Sequence, residues 1–248
     1  MSTIKTCRIL GVNIAVTNMA QTVQYIENNV EELRGKYICV SNVHTTIMAH
    51  DNPAYRNVQN SAAIALPDGK PLSVVSRKRG YTEAERVTGP DLMGELFARK
   101  NGLKHFFYGD KEETLQILQQ KLKEKYPDIQ IAGMISPPFR SLSQEEEKAY
   151  IQQINDSGAD IVWIGLGAPK QENWMYEHQG MLHGVMIGVG AGFSYHAGLI
   201  KRAPKWMQKM SLEWFYRLMQ DPVRLFKRYF TTNLKFMLLE AKDKGEAL

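Results

Sequence analysis

Asp68 is the carboxylate of this sequence that is best placed for catalysis. It follows a short apolar segment, residues 62–66, that is typical of a buried strand and ends in Pro67-Asp68-Gly69-Lys70-Pro71. Open α/β sheets collect their ligands at the carboxyl ends of their strands. An unpaired acid at the mouth of such a cleft can act as a general base. The alternative is structural, since Pro-Asp-Gly is also a favoured turn in which the aspartate bonds to its own backbone.

A second stretch that could do chemistry begins at Asp160. The apolar run that starts there is followed directly by glycine, proline, lysine and glutamine residues. Its first five residues predict a buried strand, and the residues from Gln171 onward predict a helix. Gly165 and Gly167 allow a sharp turn between the two, which places Lys170 and Gln171 near the helix N-terminus. Free N–H groups there favour an anion. The turn could therefore seat a phosphate-bearing ligand, and an ordinary βα turn with a surface lysine is the alternative.

The glycines of these turns do not form a dinucleotide fingerprint. Lys170 stands where the third glycine would be, and the following strand ends in Gly188-x-Gly190-Ala-Gly192 rather than in the acid that would hold a ribose hydroxyl. NAD is therefore disfavoured. The glycines after that strand allow close approach of backbone to a ligand or to another strand, and packing is the commoner reason.

Other catalytic signatures are absent from the sequence. There is no Walker loop, no Gly-x-Ser-x-Gly elbow and no Cys/His grouping with zinc spacing. The Asp-x-Asp element by which many nucleotide-sugar enzymes hold a divalent metal is also missing. A sugar transferase built on this chain would have to balance diphosphate charge with lysine, arginine or backbone dipoles.

The elements that would position these residues alternate between strand and helix. Helical spacing over residues 18–33 leads into a strand at 36–40, and Asn42 follows the carboxyl end of that strand. Four later strands, separated by three helices, indicate parallel βαβ units that are covered on both faces. These strands are expected at residues 105–108, 129–135, 160–164 and 184–189. Further expectations are a partly β-like segment at 8–16, a short helix at 47–50, a helix capped by Asn52, a polar loop at 77–86 and a capping box at Ser143.

Length and composition indicate a globular chain. It has 248 residues, of which 44% are hydrophobic and 23% charged, enough for one large domain or a domain with an appendage. Cys7 and Cys39 are the only cysteines, and neither a signal pattern nor an apolar run long enough to span a bilayer occurs. A cytoplasmic protein with free thiols is expected.

Positive charge is concentrated near the C-terminus. Residues 201–235 contain nine basic residues against Glu213 and Asp221, while the whole chain has a net charge of only +5. A near-neutral body with a basic end suggests an acidic partner: nucleic acid, an anionic membrane or a phosphate-bearing substrate.

The same region is amphipathic. Trp206, Met210, Trp214 and Leu218 recur four residues apart, and Asp221-Pro222 then ends one helix and begins another. Apolar groups interleaved with cations can lie on anionic lipid. This membrane-surface interpretation is favoured over an ordinary helix pair packed on the core with a solvated basic face. The apolar content also fits lipid better than it fits nucleic acid.

Seven motifs, in order, resemble the WecG/TagA/CpsF glycosyltransferases, glycosyltransferase family 26, over about residues 11–236. They are Asn42 with its following helix, Leu66-Pro-Asp-Gly-Lys-Pro71, Glu85-Arg-Val-Thr-Gly-Pro-Asp-Leu92, Phe107-Tyr-Gly-Asp110, Gly165-Leu-Gly-Ala-Pro-Lys-Gln-Glu172, Gly188-Val-Gly-Ala-Gly192 and Arg202-Ala-Pro-Lys-Trp206. One departure concerns the hydroxyl residue that the family has just before the Asn42 region. Val40 or Ser41 occupies its place, so the family's role for a hydroxyl there is not carried over to Ser41, Thr45 or Thr46.

The resemblance implies a metal-independent, inverting transferase that needs no cofactor. It would move a sugar from a UDP-sugar to a polyprenyl-diphosphate-linked saccharide in the synthesis of cell-surface polysaccharide or teichoic acid. The implied fold is an α/β, Rossmann-like, mostly parallel sheet with flanking helices, of the type called GT-E. Residues 1–200 would form this body, and residues 201–248 a helical, membrane-associating C-terminal appendage. The protein would then be peripheral on the inner face of the cell membrane, with a homo-oligomer conceivable away from it.

The resemblance also assigns site residues. Asp68 matches the family's proposed catalytic base, and Gln171 matches an amide near the sugar. The residues implied to bind the donor are Asn42, Gly109, Asp110, Gly165, Gly167, Lys170, Gln171 and Gly190. Those implied to meet the acceptor or the diphosphate are Arg86, Arg217, Arg224 and Arg228.

The donor sugar stays open among N-acetylmannosamine, its uronic acid and glucose types. The alternatives to a transferase are a non-catalytic scaffold that binds nucleotide-sugar and membrane, a nucleic-acid-binding protein, and a nucleotide-sugar hydrolase or epimerase.

Overall fold

An eight-stranded sheet organises the part of the chain that the computed structural model describes. This part comprises residues 4–204, 206, 207, 210 and 212–243, without the side chains of residues 224, 225 and 227–229. The strands are β1 (Thr6–Ile9), β2 (Val12–Ala15), β3 (Tyr37–Ser41), β4 (Ile64–Pro67), β5 (Lys104–Gly109), β6 (Gln130–Ile135), β7 (Ile161–Gly165) and β8 (Val185–Gly188). The sequence-based expectation of a mostly parallel α/β sheet with flanking helices is confirmed.

Helices connect the strands and cover the sheet. In chain order they are α1 (Met19–Asn28), α2 (Val30–Leu33), α3 (Val43–Asp51), α4 (Pro53–Ser61), α5 (Lys70–Lys78), α6 (Gly89–Phe97), α7 (Glu112–Lys125), α8 (Gln144–Asp156), α9 (Lys170–Glu177), α10 (Gly192–His196), α11 (Glu213–Gln220) and α12 (Pro222–Glu240). The central strands β3, β4, β5, β7 and β8 are almost wholly buried, as parallel strands with helices on both faces must be, whereas the edge strands β1 and β6 are partly exposed.

The strand order is β1-β2-β4-β3-β8-β7-β5-β6, with only β1 antiparallel to its neighbour. Strand β4 lies on one side of β3, together with β1 and β2. Strands β5 to β8 lie on the other side of β3. The parallel strands all end at the same edge of the sheet. A crevice forms outside the carboxyl ends of strands where the winding reverses in this way, so the turns after β3, β4, β7 and β8 are where a ligand is expected.

Local capping signals in the sequence are confirmed. Ser143 and Glu146 form the predicted reciprocal capping box at the start of α8, and Asn52 caps α4 with Pro53 in the first turn. Four elements differ from the sequence-based expectation. The short helix expected at 47–50 begins at Val43, because Asn42 caps it directly after β3. The expected helix over 18–33 is divided at Asn29 into α1 and α2.

Helix α5 is the third difference, since residues 70–78 were expected to contain only a turn and the start of a polar loop. Pro71 lies in the first turn of α5, where its missing N–H costs no helical hydrogen bond. Leu72 and Val75 then bury one face of the helix against the sheet. A single turn of helix, α10, likewise lies where the glycine turn and a connector were expected.

The C-terminal helices α11 and α12 break at Asp221-Pro222, as predicted, and α12 packs on the body. Phe236 is 4% exposed within the main core cluster. Arg79 of the body bonds Glu240 of α12 at 2.8 Å and Asp243 beyond it at 3.2 Å. Lys235 bonds Asp51 at 2.7 Å. The division of the chain at residue 200 stays a prediction.

The opposite face of α12 is apolar and exposed. Val223, Phe226, Phe230, Leu234 and Met237 recur at helical spacing along it, and each is about half exposed or more. Phe226 and Phe230 stack with their ring centroids 6.2 Å apart. We call these five residues the apolar stripe. None of the helices among the described residues combines the length and the hydropathy required to cross a membrane.

Candidate active site

Asp68 lies directly after β4, at the sheet edge where the crevice forms. Its side chain is partly exposed, and burial raises its pKa to about 6. The Arg86 guanidinium opposes this rise in pKa, and the Glu213 carboxylate adds to it. Arg217 also lowers the pKa of Asp68 and Asp91 also raises it, each more weakly. The carboxyl group is therefore mostly ionised at neutral pH and yet a stronger base than an ordinary aspartate.

The charges around Asp68 form one cluster. Arg86 donates to Glu213 at 2.8 Å, and Arg202 lies 3.5 Å from the same carboxylate. Arg202 also forms a two-pronged ion pair with Asp91, with Nη1 on Oδ1 and Nη2 on Oδ2. Burial disfavours the ionised Asp91, but hydrogen bonds from Arg202 and Thr88 outweigh it and lower the pKa of Asp91. Carboxylates thus hold Arg86 near the candidate base and tie Arg202 to the same charge cluster.

Arg217 of α11 is the third cation near Asp68. Its guanidinium lies 5.5 Å from the centroid of the Tyr195 ring, and its charge reaches Asp68. The structure therefore brings together three of the predicted residues, Asp68, Arg86 and Arg217. The side chains of Arg224 and Arg228, the other two predicted arginines, lie outside the described part of the chain.

Asn42 borders the same crevice, beside the turn that carries Asp68. Its side-chain oxygen caps α3 by accepting from the backbone N–H groups of His44 and Thr45 at 3.0 and 3.2 Å. The Thr45 and Thr46 hydroxyls donate to the Asn42 carbonyl oxygen. These hydroxyls and the oxygen of the amide are thus engaged in helix capping. A role for Asn42 in donor binding stays a prediction.

The glycines that end β5 and β7, Gly109 and Gly165, allow these two strand ends to approach closely. A Cβ atom on Gly109 would lie 2.6 Å from the Gly165 carbonyl carbon, and one on Gly165 would lie 2.7 Å from the Phe193 ring. Gly109 also has φ of +129°, which other residues rarely adopt. The packing of these glycines is therefore explained without a ligand.

Asp110 follows Gly109 in the left-handed region, with φ of +59°. Its two carboxylate oxygens accept from the backbone N–H of Lys111 at 2.8 Å and from the Ser194 hydroxyl at 2.9 Å. Asp110 thereby ties the turn after β5 to α10. Its predicted contact with a donor is not needed to explain this geometry and stays a prediction.

Gln171 joins the two glycine turns. Its side chain is buried, and its oxygen accepts from the backbone N–H of Gly167 at 3.2 Å and of Gly190 at 3.0 Å. Lys170, beside it, is exposed at the first turn of α9. The two predicted donor contacts therefore differ in their surroundings. The exposed Lys170 side chain can reach a ligand, whereas the amide oxygen of Gln171 already accepts hydrogen bonds from the backbone.

Three site residues were not singled out from the sequence: Asp91, Arg202 and Glu213. Asp91 and Arg202 belong to motifs that carry the family resemblance, but their pairing joins positions 111 residues apart. Glu213 joins Arg86 across 127 residues. An acid at the start of a helix in a strongly basic segment was the one available signal for Glu213.

The described residues contain no grouping of three or more His, Cys, Asp or Glu side chains that could hold a metal ion. The expectation that arginine takes the place of a metal stays a prediction.

We expect Asp68 to titrate near pH 6 in the ligand-free protein, and Glu213→Gln to lower its pKa. The substitution removes a negative charge and releases Arg86 from its ion pair, and both changes favour the ionised aspartate. Carboxyl ¹³C NMR, with the Asp68 signal assigned by its loss in Asp68→Asn, measures the shift. Glu240→Gln is the control, since Glu240 pairs with Arg79 at the far end of α12. An Asp68 pKa near 4, or one raised by Glu213→Gln, would contradict this account.

Comparison with known proteins places this site in context. The sequence profile described as "Glycosyl transferase WecG/TagA/CpsF family" matches residues 7–247. A protein of Bacillus subtilis (strain 168) is 30% identical over 212 residues, which are 84% of this chain and 81% of the relative. A protein of Staphylococcus aureus (strain MW2) is 29% identical over 241 residues, 95% of this chain and 93% of the relative. A protein of Bacillus spizizenii is 28% identical over 235 residues, with 91% and 90% covered. All three are named N-acetylglucosaminyldiphosphoundecaprenol N-acetyl-beta-D-mannosaminyltransferase.

Proposed function

The chain belongs to the WecG/TagA/CpsF family of glycosyl transferases, and from this premise we propose that it transfers an N-acetylmannosaminyl residue from a UDP-linked donor to N-acetylglucosaminyl-diphosphoundecaprenol. The names of the three relatives supply the sugar and the acceptor. The donor nucleotide and a place in cell-surface polymer synthesis, such as that of teichoic acid, rest on the resemblance of the motifs. The observation that carries the proposal is a base of raised pKa, Asp68, beside a cluster of arginines at the carboxyl edge of the sheet.

Asp68 is the proposed general base. It takes the proton from the attacking hydroxyl of the acceptor, whose oxygen forms a bond to the anomeric carbon. The bond from that carbon to the UDP oxygen breaks on the opposite face, the electron pair leaves with UDP, and the configuration inverts. A base with a pKa of about 6 suits this role, since it is ionised at neutral pH and still accepts a proton readily.

Arg86, Arg202 and Arg217 are the proposed partners of the leaving diphosphate, and the family resemblance adds Arg224 and Arg228. Negative charge grows on the diphosphate as the bond breaks, and preorganised cations stabilise such developing charge without a metal. Before substrate binds, Glu213 and Asp91 hold two of these arginines in place. The arginine side chains then need little reorganisation when phosphate oxygens replace the carboxylates.

The apolar stripe of α12 is proposed to lie on an anionic membrane, where a polyprenyl-linked acceptor resides. A run of exposed aromatic and aliphatic side chains this long is unusual for a surface that meets only water. The neighbouring basic residues would meet lipid headgroups. Trp214 and Phe215 of α11 and Trp206 extend the exposed apolar surface.

Formation of a lipid-linked product tests the proposed function. Purified protein is incubated with UDP-N-acetylmannosamine and a short-chain polyprenyl-diphosphate N-acetylglucosamine, and the disaccharide lipid is detected by mass spectrometry. We expect turnover without an added divalent cation, and turnover that persists when EDTA is present.

Two other outcomes identify the rivals. Binding of UDP-sugar without turnover on the lipid acceptor would favour a non-catalytic scaffold. Release of free sugar or interconversion of the UDP-sugar as the main reaction would favour a hydrolase or an epimerase. Transfer of a different sugar in a screen of UDP-donors would retain the transferase and change only the donor.

A further inference from the structure

Glu172 is a buried carboxyl group that the proposed mechanism does not use. It lies in the first turn of α9 and is 1% exposed. Its Oε1 accepts a hydrogen bond from Gln171 Nε2 at 2.8 Å, and its Oε2 has no hydrogen-bond partner among the described residues. Burial raises its pKa, the Tyr55 hydroxyl and the Cys39 thiol face it, and no cation contributes to the shift. A carboxyl group buried without a cation is costly, so its presence here needs an explanation.

The bond from Gln171 to Glu172 sets the orientation of the Gln171 amide. The amide oxygen accepts from the N–H groups of Gly167 and Gly190, one in the turn after β7 and the other in the turn after β8. If the amide rotated by half a turn, its NH₂ group would meet two N–H donors. Glu172 disfavours that arrangement, because it offers the NH₂ group an acceptor on the other side.

Gly188 leaves space for the same amide. A Cβ atom at this position would lie 3.0 Å from Gln171 Nε2 and 2.7 Å from the Met175 methyl group. The end of β8 is therefore shaped around the side chain that joins the two turns.

A line of buried hydrogen bonds runs from Tyr55, whose hydroxyl faces Glu172, toward the loop that carries the base. The Tyr55 hydroxyl faces Glu172 and accepts from Gln59 Nε2 at 3.0 Å. Gln59 Oε1 accepts from the Ser41 hydroxyl at 2.6 Å. The Ser41 carbonyl oxygen accepts from the Asp68 backbone N–H at 2.8 Å. Side chains from α4 and α9 thus connect the carboxyl ends of β3, β4, β7 and β8.

We propose that Glu172 is a positioning residue for the transfer reaction, which acts through Gln171 to hold the two glycine turns at a fixed place relative to Asp68. The inference rests on the proposed function, since the glycine turns are its donor side and Asp68 its base. Reacting groups must be held close to the productive geometry, and an error of about 1 Å can cost roughly 100-fold in rate. A buried hydrogen-bond network is a means of fixing such distances.

The test compares Glu172→Gln with Glu172→Leu in the full chain. Glutamine keeps the acceptor for Gln171 and adds no charge, whereas leucine fills similar space without any acceptor. We expect Glu172→Leu to lower kcat about 10- to 100-fold with little change in the KM for the acceptor. We expect Glu172→Gln to stay within about threefold of wild type, because the glutamine side-chain oxygen can accept the same hydrogen bond from Gln171 Nε2.

Ile154→Ala is the control for lost stability. Ile154 is buried in α8, outside the hydrogen-bond line, and its truncation leaves a cavity. At a temperature where all variants are folded by circular dichroism, Ile154→Ala should keep the wild-type kcat. Wild-type kcat in Glu172→Leu would overturn the proposal, as would a Glu172→Gln variant as slow as Glu172→Leu.

A second readout does not depend on activity. Amide hydrogen exchange at Gly167 and Gly190, followed by ¹⁵N NMR, should be faster in Glu172→Leu than in Ile154→Ala, since both N–H groups bond to Gln171. If the wild-type protein makes no lipid-linked product, the proposed function fails, and this exchange still decides whether Glu172 positions the turns. Unchanged exchange at both glycines would refute the positioning role itself.

Discussion

Asp68→Asn is expected to lower kcat for the lipid-linked acceptor by about 10²- to 10⁴-fold, the range typical of a lost general base. Asparagine has nearly the same shape as aspartate and cannot take the proton from the attacking hydroxyl. UDP binding should not weaken, because the substitution removes a negative charge from beside Arg86 and Arg217. Steady-state kinetics and calorimetric titration with UDP measure the two effects separately.

The control for Asp68→Asn is Asp128→Asn, which changes an exposed aspartate that pairs with Lys100 at the surface. It should keep wild-type kinetics. An Asp68→Asn variant with full transferase activity would show that Asp68 is not the base. A variant that loses UDP binding and activity together would place Asp68 on the donor instead.

The pH dependence of the wild-type enzyme should agree with this assignment. A general base works only when ionised, so kcat/KM should rise with pH through about 6 and then level off.

The second large effect is expected on membrane binding. The triple variant Phe226→Gln, Phe230→Gln and Leu234→Gln replaces three members of the apolar stripe with a polar residue that still favours helix. Full burial of each side chain is worth about 1.5–3 kcal/mol, and insertion into the interface yields only part of this. We therefore expect association with vesicles of phosphatidylcholine and phosphatidylglycerol to weaken by at least about 100-fold, as measured by co-sedimentation.

A matched variant changes three exposed apolar side chains of the body, Ile117, Phe139 and Met181, to glutamine. It should bind vesicles like the wild type. The stripe variant should also keep its kcat on a short-chain acceptor in solution, while losing activity on a long-chain acceptor in vesicles. This difference separates membrane binding from chemistry.

Unchanged vesicle binding by the stripe variant would contradict the membrane proposal. If the substitutions instead abolish a dimer seen by analytical ultracentrifugation, the stripe is a contact between two copies of the chain.

Strands and helix starts could be predicted from the sequence because their signals are local. Apolar runs bounded by glycine marked the parallel strands, and Ser143, Asn52 and Pro53 marked helix starts through caps that form within one turn. Helix α5 was missed because Pro71 after Pro-Asp-Gly is as typical of a turn as of a first helical turn.

The site was predictable only in part. The position of Asp68 followed from its place at the end of a strand, and the family resemblance supplied Arg86 and Arg217. The burial of Gln171 was not predictable, since an amide at a helix N-terminus can face a ligand or the protein with the same local sequence. The pairs that Glu213 makes with Arg86 and Arg202 depend on α11 lying over the crevice, and that is a tertiary contact without a local signal.

Helix α11 carries both a part of the charge cluster around Asp68 and two exposed aromatic side chains. Its eight residues span about 12 Å, with Glu213 and Arg217 near Asp68 and with Trp214 and Phe215 exposed. If those two aromatic side chains rest among lipid headgroups, the diphosphate of the acceptor need not leave the headgroup layer to reach the arginines. The enzyme would then select its acceptor by the distance of the terminal sugar from the membrane surface. In that arrangement the length of the glycan on the lipid would decide whether its terminal hydroxyl meets Asp68, and an acceptor would be extended only once.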